Sequence, residues 1–586
     1  MTNNRVLAIV GMGPRGGRAL QNLIQKLNQH NTLNHVKLLL FEKTKQLGNG
    51  SVYDTNQIQS NWINISERIL LLDKRETIVT STFTIPSFPS YHTWAKLNYD
   101  IISDEQIDHY PPRRKIGSYL SQRFQSLVIP LIDEKIISIF SEEVIELSVA
   151  RNNKITLTTK VKTYPDIDEI LLTIGHQPTQ LTDQLLEWQN YSANKNNLTL
   201  FTSPYPIDSI INDRNFTHTS KIGIRGFGLA MIDVARAIAN AYGSFIIEDD
   251  FTRACLYKPN NDNELRLLPF SLDGLPPVPK PINAKIDNWF KPSEKQLLEF
   301  ESTIVDPAIQ QNAESHDFLI SAFAPIAAEI YLSLDDFYGK EKYSILDIEK
   351  IIVKCLNNNN EKHPTLLSDE ADVSKLMLHF VDMATGRKAV SLDYCIGQVW
   401  RYCQPSIYKC LSFNNCKDRV FAEIISLDES TKRYSYGPPV ESIQQLIALI
   451  NAGVILIDLA NNPEIELVDS GWRLKLNGKT MTTGIMINSV LSSPKIESVN
   501  TPLVRNMLED DLVKAVYDDL GVSIDDNGYL QSEKDHNIPI ALLGRLAKGT
   551  IIGVDAILEC FGDRPKMWAG EAARRHSESL NRANNR

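Results

Sequence analysis

The first regular pattern in the chain is an apolar run from Arg5 to Val10. A glycine-rich turn follows, and then Leu20, Leu23, Ile24 and Leu27 recur at helical spacing. Apolar run, turn and 3.6-residue period predict a strand, a tight turn and an amphipathic helix over about 18–29. A second apolar run, His35 to Phe41, ends at Glu42. Strand, glycine turn, helix and strand together make the βαβ unit of a parallel sheet.

The pattern is broken and aromatic from Gly48 to Tyr99, and helical from Lys115 to Phe124. Ile136 to Leu147, Lys154 to Thr159 and Glu169 to Ile174 read as strands. Near Lys221 the βαβ pattern begins again, with a strand Ile222 to Ile224, a glycine turn, a helix to about Tyr242 and a strand Phe245 to Ile247. Helical periodicity dominates between Pro276 and Lys417. A helix Ser442 to Asn451 and strands Val454 to Leu459, Gly484 to Val490 and Ile538 to Leu543 return the chain to sheet, before a last helix from Pro565 to Leu580.

The expected class is therefore α/β, with two Rossmann-like dinucleotide-binding domains and a helical insertion. The expected division is 1–215 for the first domain, 216–285 for the start of the second, and 286–430 for the insertion. Residues 431–480 then return to the second domain and 481–586 to the first.

Composition narrows the function classes. At 586 residues the chain exceeds one core, and its net charge of −10 argues against a nucleic-acid partner. No apolar run reaches the roughly 20 residues of a membrane span, and no h-region precedes the first strand, so a cytoplasmic, membrane-free protein is expected. The seven cysteines form no metal-type pair, and Cys395, Cys403, Cys410 and Cys416 read as reduced, mostly buried thiols. A small-molecule substrate is expected, and the oligomeric state is left open.

Three motifs carry chemistry. In Gly11-Met-Gly13-Pro14-Arg15-Gly16 the first glycine permits a tight turn. The second lets backbone approach a pyrophosphate, and the third lets helix pack on strand. The helix start offers free N–H groups to phosphates, and Glu42 ends the strand where an acid binds ribose hydroxyls. Gly226-Phe-Gly228-Leu-Ala-Met231-Ile-Asp233 repeats the arrangement with Met231 at the third glycine position. Arg253 follows as a candidate for a 2′-phosphate or a solvated surface arginine. Strand 171–174 ends in Gly175-His176, where the glycine suits close passage of backbone by a cofactor and His176 reads as a turn residue.

These motifs, in their order, resemble the family of two-dinucleotide FAD/NAD(P)-binding proteins that includes flavin-dependent monooxygenases. Within it the likeness is greatest to the bacterial, N-hydroxylating type whose first motif reads Gly-x-Gly-Pro-x-Gly. The resemblance also rests on Gly48-Asn-Gly-Ser-Val-Tyr53 with Asn61, Pro111-Pro-Arg113, Pro204-Tyr205-Pro206, Tyr436-Gly437-Pro438-Pro439 and Leu543-Gly544-Arg545. It implies FAD in the first domain and NADPH or NADH in the second. The reduced flavin would activate O2 to oxygenate a small molecule, with N-hydroxylation of an amine or amino acid as the natural reaction. It places Tyr53, Asn61 and Arg113 near the flavin, with Gly544, Gly549 and Thr550 in the last cofactor-binding loop. Arg545 stands where such flavoproteins often carry aspartate, and a backbone N–H from Lys548 to Ile551 is the expected substitute. A reductase or dehydrogenase without oxygen transfer, and a non-catalytic redox sensor, are the alternative readings.

Overall fold

The computed structural model describes residues 4–584 except 100–101, 261–263, 359–360, 368–371, 492–493, 518–519, 533–537 and 555. The first apolar runs become strands Arg5–Val10 and Val36–Phe41, joined by helix Pro14–Gln29. They sit in a five-stranded sheet ordered Ile540–Leu542, Glu169–Leu172, Arg5–Val10, Val36–Phe41, Ile137–Phe140, with every neighbouring pair parallel. Strands covered on both faces must be apolar at nearly every position, and Glu169–Leu172 is buried throughout. Its one charged residue, Glu169, is held by Arg5 at 2.6 Å and by the Tyr529 hydroxyl at 2.5 Å.

Helix Pro14–Gln29 turns Ala19, Leu20, Leu23, Ile24 and Leu27 into the core. The last helix, Arg564–Asn584, closes over it with Trp568, Ala569, Ala572 and Ala573. Alanines at that spacing allow two helices to approach closely, and each buried large side chain adds roughly 1.5–3 kcal/mol of transfer free energy.

The second parallel sheet is ordered Thr199–Phe201, Ile485–Asn488, Lys221–Arg225, Arg266–Phe270. This corrects the expected boundaries. Thr199–Phe201 lies before residue 215 and Ile485–Asn488 after 481, yet both belong to the second unit. Short apolar runs announce a buried parallel strand without saying which sheet receives it. The second unit also departs from the expected βαβ order. After helix Leu229–Tyr242 the chain forms an antiparallel hairpin, Gly243–Ile247 with Cys255–Pro259, and only then supplies the parallel strand Arg266–Phe270. The run 136–147 divides likewise. Ile137–Phe140 joins the first sheet, and Val144–Val149 starts a three-stranded antiparallel layer.

Helix Asp418–Ser435 runs past the expected limit of 430, and the expected helix near Ser442 follows as Val440–Asn451. They are not a separate body. Met231 and Ile238 of the glycine-turn helix share one hydrophobic cluster with Phe323, Trp400 and Ile443 of the helical region. Among the described residues no helix is long and apolar enough to cross a membrane.

Candidate functional site

The C-terminal edge of the first sheet carries the first glycine turn. Gly11 has φ +93°, its N–H donates to the Phe41 carbonyl at 2.8 Å, and a Cβ there would stand 2.5 Å from the Thr173 carbonyl oxygen. Only glycine fits those two constraints. At Gly16 a Cβ would collide with the Gly11 carbonyl and stand 2.7 Å from the Thr173 hydroxyl. Gly13 is different. A Cβ there meets only the Gly50 Cα, at 3.7 Å, so the protein itself does not demand glycine. Gly13 caps helix Pro14–Gln29 without a side-chain hydrogen bond, and Pro14 occupies the first turn. The free first-turn N–H groups and the open side of Gly13 form a cradle that a side chain would fill, which fits a bound diphosphate.

Glu42 and Arg15 lie at this turn, Gly544 beside Arg15, and the remaining expected residues are placed by other contacts. Glu42 is buried, accepting the Met12 N–H at 2.8 Å and the Thr44 N–H and hydroxyl, each at 2.9 Å. It thereby braces the turn from the end of strand Val36–Phe41. Arg15 reaches across the sheet edge, donating to the Val554 carbonyl at 3.0 Å and lying beside Gly544. Gly175 has nothing within 4 Å of a Cβ position. Gly549 packs on Leu520, and the Thr550 hydroxyl donates to the Val522 carbonyl at 3.1 Å. The N–H groups of Lys548, Gly549, Thr550 and Ile551 all bond within this loop, to Arg545, Ile551, Ala547 and Ala547 carbonyls respectively. None of those four is spare to replace the absent aspartate.

The second turn repeats the first. Gly226 has φ +107° and donates to the Phe270 carbonyl at 2.7 Å. Gly228 caps helix Leu229–Tyr242 without a side-chain bond and has nothing within 4 Å of a Cβ position. Ser489 holds the place of Thr173. Its N–H donates to Arg225 as that of Thr173 donates to Val10, each at 2.8 Å, and its hydroxyl bonds the Arg225 and Gly226 carbonyls. Where Glu42 ends the first unit's strand, Ser271 ends the second's. Arg253 sits in the hairpin turn and is neither free nor simply solvated, since Glu441 holds its Nε at 3.0 Å.

The two units meet through residues that the sequence presented separately. Arg113, at the start of helix Arg113–Asp133, donates to the Asp233 carboxylate at 2.8 Å. Tyr205 donates to the same oxygen at 2.6 Å, and the guanidinium lies 5.3 Å from the Tyr205 ring centre. Burial alone would lower the Arg113 pKa, but Asp233 and Tyr205 outweigh it and raise it. Arg236, one turn beyond Asp233, donates to the Ser60 carbonyl at 2.9 Å and stacks 3.7 Å from the Trp62 ring centre. Asn61 lies between these contacts. Its carbonyl accepts the Arg113 N–H at 2.8 Å, while its buried Oδ1 has no partner. Tyr53 precedes them, with its carbonyl against Gly117 and its hydroxyl pKa raised by burial and by Cys560.

The helical region adds side chains that no motif announced. The Tyr408 hydroxyl bonds the Asp428 carboxylate at 3.2 Å and the Tyr436 hydroxyl at 3.0 Å. Burial raises the hydroxyl pKa of Tyr408 as it does that of Tyr53, and Glu559 adds to both shifts. Lys280 is buried, donates to the Asn64 carbonyl, and has its pKa lowered to about 7 by burial and by Arg401. Asp233, Tyr205 and Tyr436 were present in the quoted motifs. Lys280 and Tyr408 carry no local signal.

Residues 8–177 match a family model described as FAD-NAD(P)-binding. The matched stretch contains the first glycine turn, Glu42 and Gly175. The chain is 25% identical over 554 residues to nitrosuccinic acid synthase of Aspergillus oryzae, covering 87% of this chain and 82% of that protein. It is 21% identical over 532 residues to an uncharacterized protein of Escherichia coli K12, covering 86% of each. Solved structures similar to it include the reduced form of an ornithine hydroxylase from Pseudomonas aeruginosa, at TM-score 0.48 and 10% identity over 98% of this chain and 99% of that one. An L-lysine 6-monooxygenase from Pseudomonas syringae gives TM-score 0.43 and 12% identity over 98% and 99%.

Proposed function

We propose that the protein is an NAD(P)H-dependent FAD monooxygenase that oxygenates the amine nitrogen of a small amino acid. The observation that carries this reading is the pair of glycine turns of one construction, each with an open central glycine, joined across the cleft by Arg113 and Asp233. One turn suits the diphosphate of FAD and the other that of the nicotinamide coenzyme. When bound, the flavin supplies the hydride-accepting and oxygen-activating chemistry.

This chain's residues then have definable tasks. The N–H groups of the first helical turn and Glu42 hold FAD by its diphosphate and ribose. Gly228 admits the coenzyme, and Ser271, in place of an acid, leaves room for a 2′-phosphate and favours NADPH. The Arg113–Asp233 pair fixes the distance between the two cofactor sites. Asn61 Oδ1, buried without a partner, is positioned to accept a proton-bearing group of cofactor or substrate. Tyr408, Tyr436 and the helical region exclude water from the reacting atoms. The likeness over 87% of this chain to a protein named for making nitrosuccinic acid, a nitro group on an acidic carbon skeleton, supports an amine on such a skeleton as the substrate class.

The test is NADPH consumption by the flavin-loaded enzyme against a panel of amines and amino acids, with product mass read under 18O2. An amine-dependent rise with 18O in the product supports the proposal. Consumption indifferent to every amine, with all oxygen released as peroxide, favours the reductase reading.

A further inference from the structure

Behind the first glycine turn, between helices Pro14–Gln29 and Arg113–Asp133, lies a cavity lined by Arg18, Arg75, Arg123, Gln21, Leu120 and Phe561. Arg75 is 1% exposed and Arg123 5%, so two guanidiniums are effectively internal. Their acceptors are neutral. Arg75 donates to the carbonyls of Arg123 and Pro86, each at 3.0 Å, and to the Ser126 hydroxyl at 2.7 Å. Arg123 donates to the Asp73 carbonyl at 2.5 Å, to the Tyr119 hydroxyl at 2.8 Å and to Gln21 Oε1 at 3.0 Å. The Nε atoms of Arg18 and Arg75 are buried without any acceptor. Phe561 presents its ring to Arg18 at 5.4 Å and to Arg123 at 5.6 Å.

Arginine stays charged even when buried. Three guanidiniums therefore converge on one cavity, and none makes an ion pair with a carboxylate among the described residues. Burial and the Arg123 charge lower the pKa of both Arg18 and Arg75; Tyr119 opposes this at both, and Asp73 opposes it at Arg18 from beyond ion-pair distance, without reversing either shift. Buried charge of one sign is costly unless a counter-charge with matching hydrogen bonds is supplied. Guanidinium forks match the oxygen geometry of a compact oxyanion. The cavity touches Pro14 and Gly17 of the first helical turn and Gly48 beside Gly17, but its arginines and Gln21 do not belong to the turn, and Arg18 and Gln21 lie deeper along the helix than the phosphate-facing N–H groups.

We infer that this cavity is a binding site for a free oxyanion of the phosphate or sulfate type, separate from the flavin crevice. The anion offsets most of the positive charge of the three arginines and ties helix Arg113–Asp133, which carries Arg113, to the helix that begins at the glycine turn.

The experiment is thermal unfolding titrated with inorganic phosphate at constant ionic strength, with and without saturating FAD. Phosphate also stabilises proteins by exclusion, without saturating, so the readout is the saturable part of the rise. A saturable rise that is unaltered by FAD is expected, with a half-saturating concentration at least about tenfold higher in Arg18→Gln. A purely linear rise, the same in wild type and Arg18→Gln, overturns the site. A saturable rise that FAD abolishes shows the dinucleotide phosphates filling the cavity and overturns its separateness. A wild-type crystal soaked in selenate tests the site without any substitution. An anomalous peak among the three arginines is expected, and its absence there overturns the proposal.

Discussion

The two glycine turns are built alike but finished differently. Both begin with a positive-φ glycine whose N–H bonds a phenylalanine carbonyl, and both end in a hydroxyl residue that bonds back to the turn. In both, the central glycine is free of protein contact on the side where a Cβ would point, apart from the 3.7 Å approach of Gly50 in the first. The first unit then adds Gly16 and Glu42, which close helix on strand and brace the turn. The second has Met231 and Ser271 in those places. A cofactor held permanently favours the first finish. A coenzyme that must leave after each turnover tolerates the second. On the proposed function, the shared part of the motif builds the cradle and the unshared part sets how firmly each cofactor is held.

Replacing the central glycine breaks the two units in different ways. Gly13→Val places a branched side chain in the open cradle, and flavin retention should fall by at least about 100-fold, a steric loss of several hydrogen bonds to charged oxygens. Equilibrium dialysis against FAD measures it, and retention equal to wild type would sink the cofactor assignment. Gly228→Val should leave flavin content unchanged and raise the coenzyme KM by roughly tenfold or more. Loss of flavin in that variant would mean the two units are not independent.

The junction between the units comes next in size. Arg113→Ala leaves the Asp233 carboxylate nearly buried with only Tyr205 as partner, and unfolding should become about 3 kcal/mol easier. Denaturant melts of Arg113→Ala, Asp233→Ala and the double variant give the coupling, and strict additivity would contradict a direct link.

Acid sharpens the comparison on the first unit's side. Burial alone would raise the Glu67 pKa, but hydrogen bonds from His109, Lys115 and Tyr91 outweigh it and lower it to about 2. A lowered folded-state value stabilises the fold above the unfolded carboxyl pKa of about 4.3, and that stability is lost as pH falls towards 2. Wild type should lose stability through that window and Glu67→Gln should lose less; parallel pH profiles would remove Glu67 from the account. The smallest effect belongs to the matching hydroxyls. Thr173→Val and Ser489→Ala should each cost about 1 kcal/mol in stability. A much larger cost at one position would show that the two turns are not braced equivalently.

Local chemistry made the first unit readable. Gly11, Gly13, Gly16, Glu42 and the flanking apolar runs lie within one stretch, and each constraint acts between near neighbours or adjacent strands. The second glycine turn was legible for the same reason. Its sheet was not, because Thr199–Phe201 and Ile485–Asn488 are short apolar runs whose partners lie far away in sequence. The run Gly243–Ile247 reads in the sequence as a parallel return, but one apolar run cannot announce its direction, and it pairs antiparallel with Cys255–Pro259. The Arg113–Asp233 contact spans 120 positions, so each residue appeared in a motif and neither motif named the other. Lys280 and Tyr408 owe their environment to helices packed from elsewhere in the chain, and no spacing rule encodes that.

The central claim is that the first unit holds FAD and the second delivers hydride to it. The most direct measurement is the visible spectrum of the protein after loading with FAD and removal of free flavin, repeated on adding NADPH. The account predicts retained flavin bands that bleach with NADPH and return in air. A protein that retains no flavin from saturating FAD, or retains flavin that NADPH leaves oxidised, would contradict it.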